Sequence, residues 1–142
     1  MDILLAETDT DIAACFPVMA SLRPELDEDS FVGRVRLQQA AGYRLVFLSM
    51  ESIPVAVAGF WVRENLAWGR HLHVDDLVTL ATHRSQGLGA TMLAWLVWFA
   101  AENGCQQLHL DSGTHREGAH RFYEREGMVK TSYHFCKGIS SN

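Results

Sequence analysis

The 142 residues carry a formal net charge of −5, with 48% hydrophobic and 20% charged residues. That length suggests a single domain over 1–142 with a real core, and the balance excludes both a disordered chain and a membrane-embedded one. An acidic chain argues against general nucleic-acid binding, which needs a basic face, and suits cationic small substrates better.

Ile3 to Ala6 is a short apolar run and reads as the first strand. No basic region stands ahead of it, so the start is not read as a signal peptide. Thr8 precedes Asp11 by three residues, a capping-box pattern that opens a helix running to about Leu22. The helix stops at Arg23-Pro24, because the residue before proline disfavours helix. Asp27-Glu-Asp-Ser30 starts a second helix, with Gly42 just past its end and Phe31, Val35 and Leu37 on its buried side. Tyr43 to Met50 and Ile53 to Arg63 are β-rich runs joined by Glu51-Ser52, which reads as an antiparallel hairpin. Pro54 must sit where no ladder N–H is needed. Gly59 suggests a bulge or the close approach of another group. Arg70 to Leu80 is the next strand. Gly87 to Asn103 is a helix apolar on nearly all sides, hence buried on more than one face, and Gly104 ends it. Its longest apolar run, Met92 to Ala101, is far short of the ~20 residues needed to span a bilayer. Gln107 to Asp111 is a short strand. Thr114 and Glu117 form another capping box, opening a helix that ends at Gly127. Met128 to Lys137 alternates loosely and reads as one or two closing strands. The order is β-α-α-β-β-β-α-β-α-β, an α/β (α+β) fold. Three consecutive strands imply antiparallel pairing, and the strand–helix–strand unit implies one parallel crossover.

Cys15, Cys105 and Cys136 are odd in number and show no Cys-x-x-Cys spacing. They read as free thiols in a reducing cytoplasm, with Cys136 on a partly buried strand. His115 and His120 have no clear third ligand, so no metal site is expected.

The chain is organised around Leu77 to Ala90, a strand followed by a polar turn, a glycine pair and the apolar helix. Backbone N–H groups of Gln86 to Ala90 then lie at a helix N-terminus without intrahelical partners, an anion site suited to phosphate. Gly87 and Gly89 let a ligand approach the backbone. A P-loop would need Lys followed by Ser or Thr after Gly89, where Ala90-Thr91 stands. A dinucleotide fingerprint would need a small residue where Met92 stands, although Asp111 keeps the expected distance for its acid.

These residues resemble the GCN5-related N-acetyltransferase (GNAT) superfamily in three parts, in the family's order. Arg84-Ser-Gln-Gly87-Leu-Gly89 matches its acetyl-coenzyme A motif. Asp75-Asp-Leu-Val-Thr-Leu80 is shaped like the strand before that motif. Ala119-His-Arg-Phe-Tyr-Glu-Arg-Glu-Gly127 is similar to its Ala-x-x-Phe-Tyr-x-x-x-Gly helix. The resemblance implies a mixed, mostly antiparallel sheet flanked by helices, with acetyl-coenzyme A as cosubstrate. It implies that Leu77, Val78 and Thr79 pair with the pantetheine arm, and that Arg84, Ser85, Gln86, Gly87, Leu88, Gly89 and Ala90 surround the pyrophosphate. Tyr123 would be the general acid that protonates the leaving thiolate.

The attacking amine must lose a proton, and Asp76 is the candidate base or substrate anchor. Asp75 and Asp76 are candidate acceptor-binding residues, since an acidic pair here resembles members that acetylate polyamines, and Trp61, with Trp68 near the acceptor side, is a candidate to close the pocket to bulky groups. Adjacent strand residues face opposite sides, so only one acid looks into the cleft unless a bulge intervenes. Arg116 departs from the family, standing where many members carry an asparagine that contacts the coenzyme. The expected activity is acetyl transfer to a primary amine of a small molecule, by direct attack in a ternary complex. The rivals are a non-catalytic acyl-coenzyme A sensor and an acyltransferase acting on a protein N-terminus or lysine. No nucleic-acid or membrane partner is expected, and the apolar helix together with family habit points to a homodimer.

Overall fold

Alternation along the strands decides the layers. In β2, Arg44–Met50, Leu45 and Phe47 enter one buried cluster while Val46 and Leu48 enter another. Both faces of this strand are therefore covered. The computed structural model describes residues 2–140 and divides into two compact units, one up to Leu110 and one from Asp111 onward.

In the first unit β1 (Ile3–Leu5), β2, β3 (Ile53–Asn65), β4 (Gly69–Thr79) and β5 (Gln107–Leu110) form one sheet in that spatial order. Neighbours are antiparallel up to β4, and β4 pairs with β5 in parallel. This is the mixed, mostly antiparallel sheet that the order of elements implied. Helices α1 (Asp9–Ala14), α2 (Phe16–Leu22) and α3 (Glu28–Ala41) contribute Ile12, Val18, Met19, Phe31 and Val35 to one cluster with Tyr43, Val57 and Val78. Helix α4 (Leu88–Glu102) contributes Leu88, Met92 and Leu96 to the other, with Phe60, Leu72 and Val74. Each such side chain, fully buried, stabilises the fold by about 1.5–3 kcal/mol.

Local signals hold at most element ends. Thr8 Oγ1 accepts from the Asp11 N–H at 3.1 Å, and Asp27 Oδ2 accepts from the Ser30 N–H at 3.2 Å. Each satisfies a donor that the helix start leaves open. Glu51 and Ser52 both take positive φ, 53° and 64°, as a two-residue hairpin turn following the strand twist requires.

Five expectations need correction. The first helix is two, broken at Cys15, because Pro17 lacks an N–H and its ring conflicts with the carbonyl four residues back. Three helices therefore precede β2. Leu37 is exposed, since Phe31 and Val35 lie one turn apart and define the buried stripe without it. In the second unit, α5 (Glu117–Arg125) is capped at Arg116 without a side-chain hydrogen bond. The Arg116 N–H donates to the Gly113 carbonyl at 3.0 Å and His120 Nε2 bonds the same oxygen at 2.8 Å, so a tight turn replaces the Thr114 capping box. The closing strands do not form: within the described residues 128–140 no strand is present, and Val129, Tyr133, Phe135 and Ile139 are 79–91% exposed. Alternation fits a residue for a sheet but supplies no partner to pair with. Cys136, expected on a partly buried strand, is exposed for the same reason.

Candidate functional site

Pairing between β4 and β5 runs from His71 with Gln107 to Val74 with Leu110 and ends there. On its other edge β4 stays paired with β3 as far as Thr79 with Ala56. Leu77, Val78 and Thr79 thus keep one edge of backbone N–H and C=O groups outside the β5 ladder. An extended ligand can add there like a strand.

The chain then passes through a 3₁₀ turn, Ala81–His83, into a loop with two left-handed residues, Ser85 at φ 68° and Gly87 at φ 76°. A non-glycine residue held in that region stores strain, a feature that concentrates at ligand sites. Gly87 is the N-cap of α4 and makes no side-chain cap hydrogen bond. The first N–H groups of α4 are therefore not occupied by a cap and carry the positive end of the helix dipole. A Cβ added at Gly87 would meet no atom within 4 Å, so its absence serves the backbone conformation and not packing. Arg84, Ser85 and Gln86 are exposed on this loop. Leu88 is buried in the core, so only its backbone is available to a ligand, while Gly89 and Ala90 are half-buried.

The acid pair is more elaborate than the sequence suggested. Gly59 pairs with Asp76 and Phe60 with Val74, leaving Asp75 as an extra residue on β4. This bulge brings both carboxylates to the Tyr43–Trp61 side of the sheet. Asp75 Oδ2 accepts from Trp61 Nε1 at 2.7 Å, and Asp76 Oδ2 accepts from the Tyr43 hydroxyl at 2.8 Å. The two rings meet edge to face with centroids 5.6 Å apart. Arg23, the C-cap of α2, donates through Nε to Asp76 Oδ1 at 3.1 Å and through Nη2 to the Asp75 carbonyl at 2.9 Å. Both oxygens of Asp76 are thus engaged, and its side chain is 15% exposed.

Tyr43 and Arg23 were not singled out from the sequence. Gly59 was the usable signal for Tyr43: a Cβ there would lie 1.6 Å from the Tyr43 hydroxyl oxygen. Nothing in the sequence marks Arg23, which reaches the acids across 53 residues. Burial, then the neighbouring Asp76, pushes the Tyr43 hydroxyl far above the ordinary phenol range, so Tyr43 acts as a hydrogen-bond donor at all working pH.

In the second unit, Tyr123 lies on α5 beside Phe122, ring centroids 5.3 Å apart. Burial raises its pKa above the usual 10.0, opposed in part by the Arg116 charge. It stays protonated near neutral pH and is able to give a proton to a stronger base.

The model of the acetyltransferase (GNAT) family matches residues 6–128. The chain is 35% identical over 129 residues to an uncharacterized N-acetyltransferase, YhdJ, of Bacillus subtilis, covering 89% of this chain and 91% of that protein. It is 34% identical over 76 residues to an aminoalkylphosphonate N-acetyltransferase of Salmonella typhimurium, 49% of each chain. The structure of an aminoglycoside N-acetyltransferase, AAC(6')-Iy, in complex with coenzyme A superposes with a TM-score of 0.86 at 13% identity, covering 99% of this chain and 95% of that one; this likeness concerns the fold.

Proposed function

The chain belongs to the acetyltransferase (GNAT) family and is an acetyl-coenzyme A-dependent N-acetyltransferase, and on that premise we propose that it acetylates a primary amine of a small molecule by direct attack in a ternary complex. One observation carries this reading: the Leu77–Thr79 edge left outside the β5 ladder, leading into the left-handed loop and the open start of α4. Those residues fit the cosubstrate. Leu77, Val78 and Thr79 would hold the pantetheine arm, and the N–H groups of Ser85 to Ala90, with Arg84 beside them, would hold the pyrophosphate. The cosubstrate supplies an activated acetyl thioester. Holding both reactants removes much of the entropic cost of their meeting.

The protein's own groups do the rest. A backbone N–H near Val78 polarises the carbonyl under attack. The amine is held beside Asp75, Asp76 and Trp61, and its proton leaves toward the open Oδ1 of Asp75, directly or through water, since both oxygens of Asp76 are already engaged. The new N–C bond forms as the C–S bond breaks, and the Tyr123 hydroxyl gives its proton to the departing sulfur. The acceptor named for one relative, an aminoalkylphosphonate, supports a small-molecule acceptor.

Three further readings belong to this proposal. Both units form one acetyltransferase domain, supported by a family match that crosses from one to the other. The protein works in the cytoplasm, supported by three free cysteines; among the described residues no helix is long and apolar enough to cross a membrane. It forms a homodimer, supported by Val97 and Trp98, which α4 leaves 54% and 55% exposed.

Calorimetric titration with acetyl-coenzyme A, followed by thiol release against a panel of amines, tests the reading. Micromolar binding with amine-dependent thiol release is expected. Binding without release on any amine would favour a sensor or a protein acceptor, and no binding would remove the loop's assigned role.

A further inference from the structure

We propose that Arg23 reads an anionic group on the acceptor, so that the preferred acceptors are compact zwitterionic amines and not polyamines. This rests on the reading of Asp75 and Asp76 as the acceptor site. Two acids side by side suit a polycation only if both are open, and here they are not. Asp76 gives Oδ1 to Arg23 and Oδ2 to Tyr43. Asp75 gives Oδ2 to Trp61, while its Oδ1 takes no partner among the described residues and its side chain is exposed. One carboxylate oxygen is left to face an ammonium.

The guanidinium is divided in the same way. Its Nε and Nη2 are spent on Asp76 and on the Asp75 carbonyl. Nη1 takes no partner among the described residues, and the side chain is 44% exposed. A guanidinium clamped through Nε and Nη2 still presents the two N–H groups of Nη1, a charged donor that suits a carboxylate or phosphonate oxygen. The anchor is fixed before any ligand arrives. Arg23 caps α2 with its own N–H on the Met19 carbonyl at 2.9 Å, and Pro24 follows it. Little further ordering is needed on binding.

An open carboxylate oxygen on β4 and an open guanidinium nitrogen at the end of α2 are thus tied together, since Arg23 Nη2 donates to the Asp75 carbonyl. An acceptor with an ammonium and a nearby anion satisfies both. A diamine would set its second cation against the guanidinium. Arg63, whose Cζ lies 4.4 Å over the Trp61 ring, adds positive charge at that tryptophan and disfavours a polycation further.

The test uses the full chain and three acceptors of similar length: aminoethylphosphonate, propylamine and diaminopropane. kcat/KM by thiol release is expected to fall in that order. Arg23→Gln should cut the preference for the phosphonate over propylamine by about tenfold or more, the worth of a charge-assisted hydrogen bond, with KM for acetyl-coenzyme A unchanged. Arg23→Lys, which keeps the charge and loses the fork, should retain part of the preference. A diamine used as well as the phosphonate, or an Arg23→Gln loss equal for all three acceptors, overturns the proposal and leaves the acetyltransferase reading standing. Tight acetyl-coenzyme A binding with no turnover of any amine removes the acceptor site and this proposal together.

Discussion

Gly59→Ala is the sharpest probe of the acid pair. An added Cβ would lie 1.6 Å from the Tyr43 hydroxyl oxygen, 2.4 Å from its Cζ and 2.8 Å from Asp76 Oδ2. Tyr43 is only 5% exposed and cannot swing into solvent, so the phenol must withdraw from Asp76. Losing a hydrogen bond to a charged group costs about 1.5–3 kcal/mol, and forcing a packed core apart adds about 1–3 kcal/mol. The expected destabilisation is roughly 3–5 kcal/mol, or a fall in Tm of roughly 10–15 °C for a chain of this size. The sign is diagnostic, because a glycine in a strand interior ordinarily gains about 0.5–1 kcal/mol on becoming alanine. Thermal and urea unfolding measure it. Tyr43→Phe removes the oxygen that clashes most, so the double variant should lose less than the sum of the single losses. KM for the amine should rise while KM for acetyl-coenzyme A holds. A Gly59→Ala protein as stable as the parent, or losses that simply add, would refute the seating of Tyr43 over Gly59.

Tyr123→Phe should lower kcat by about 10²–10⁴ with KM for acetyl-coenzyme A unchanged; an unchanged kcat would remove the general acid. Because burial lifts Tyr123 above 10.0, any alkaline loss of kcat due to its ionisation should begin only above that pH. Gly87→Val puts a β-branched residue at φ 76°, a strain of about 1–2 kcal/mol or more. Open space around the new Cβ limits the stability loss to that strain, and calorimetry should show acetyl-coenzyme A binding about tenfold weaker. An unchanged Kd would mean that the loop does not contact the phosphates. Burial, then the Asp11 charge, pushes the Cys15 thiol up from 9.0 to about 12, and Tyr43 is raised as well. Both bind protons more tightly folded than unfolded, so the stability they contribute is full below about pH 9 and lost as pH climbs toward 12. The urea midpoint should fall across that window, and a midpoint that rises there would contradict the burial. Iodoacetamide should label exposed Cys136 well before buried Cys15.

What could be read from residues alone was whatever is decided within one turn or one strand. Thr8 and Asp27 cap because the acceptor and the open N–H lie three residues apart, and the structure keeps both bonds. Gly87 was legible as a place where the backbone lies open to a ligand, and its φ of 76° is one that glycine takes without strain. Where two local signals compete, tertiary context chose between them. Pro17 outweighed the helix periodicity around it and broke the helix at Cys15. The Gly113 carbonyl drew the Arg116 N–H and His120 together, and the Thr114 cap lost. Residues 128–140 show the limit from the other side. Val129, Thr131, Tyr133 and Phe135 carry the period of a strand, yet a strand exists only where a neighbour accepts its hydrogen bonds, and periodicity says nothing about neighbours.

The acid pair joins these two kinds of information. Before the bulge, Leu72 and Val74 on β4 point into the α4 cluster; after it, Val78 points into the opposite cluster. Even-numbered residues therefore change sides between positions 74 and 78, which a regular strand forbids. The change happens at Asp75, the residue without a partner on β3. At that one place two consecutive side chains face the same way. A pair of adjacent acids on a strand would normally divide between the two faces, and one of them would meet the apolar packing of α4, where a carboxylate is costly. The bulge spares the core that charge and delivers both carboxylates to Tyr43, Trp61 and Arg23. Gly59, directly opposite, completes the device by leaving room for the phenol that holds Asp76. The same bulge marks where β4 ceases to pair with β5, so the distortion that gathers the acids also precedes the open edge of Leu77 to Thr79. A substitution that restored regular pairing at Asp75 should therefore weaken amine and acetyl-coenzyme A binding together, whereas changes at Arg23 or Tyr43 should weaken only the former.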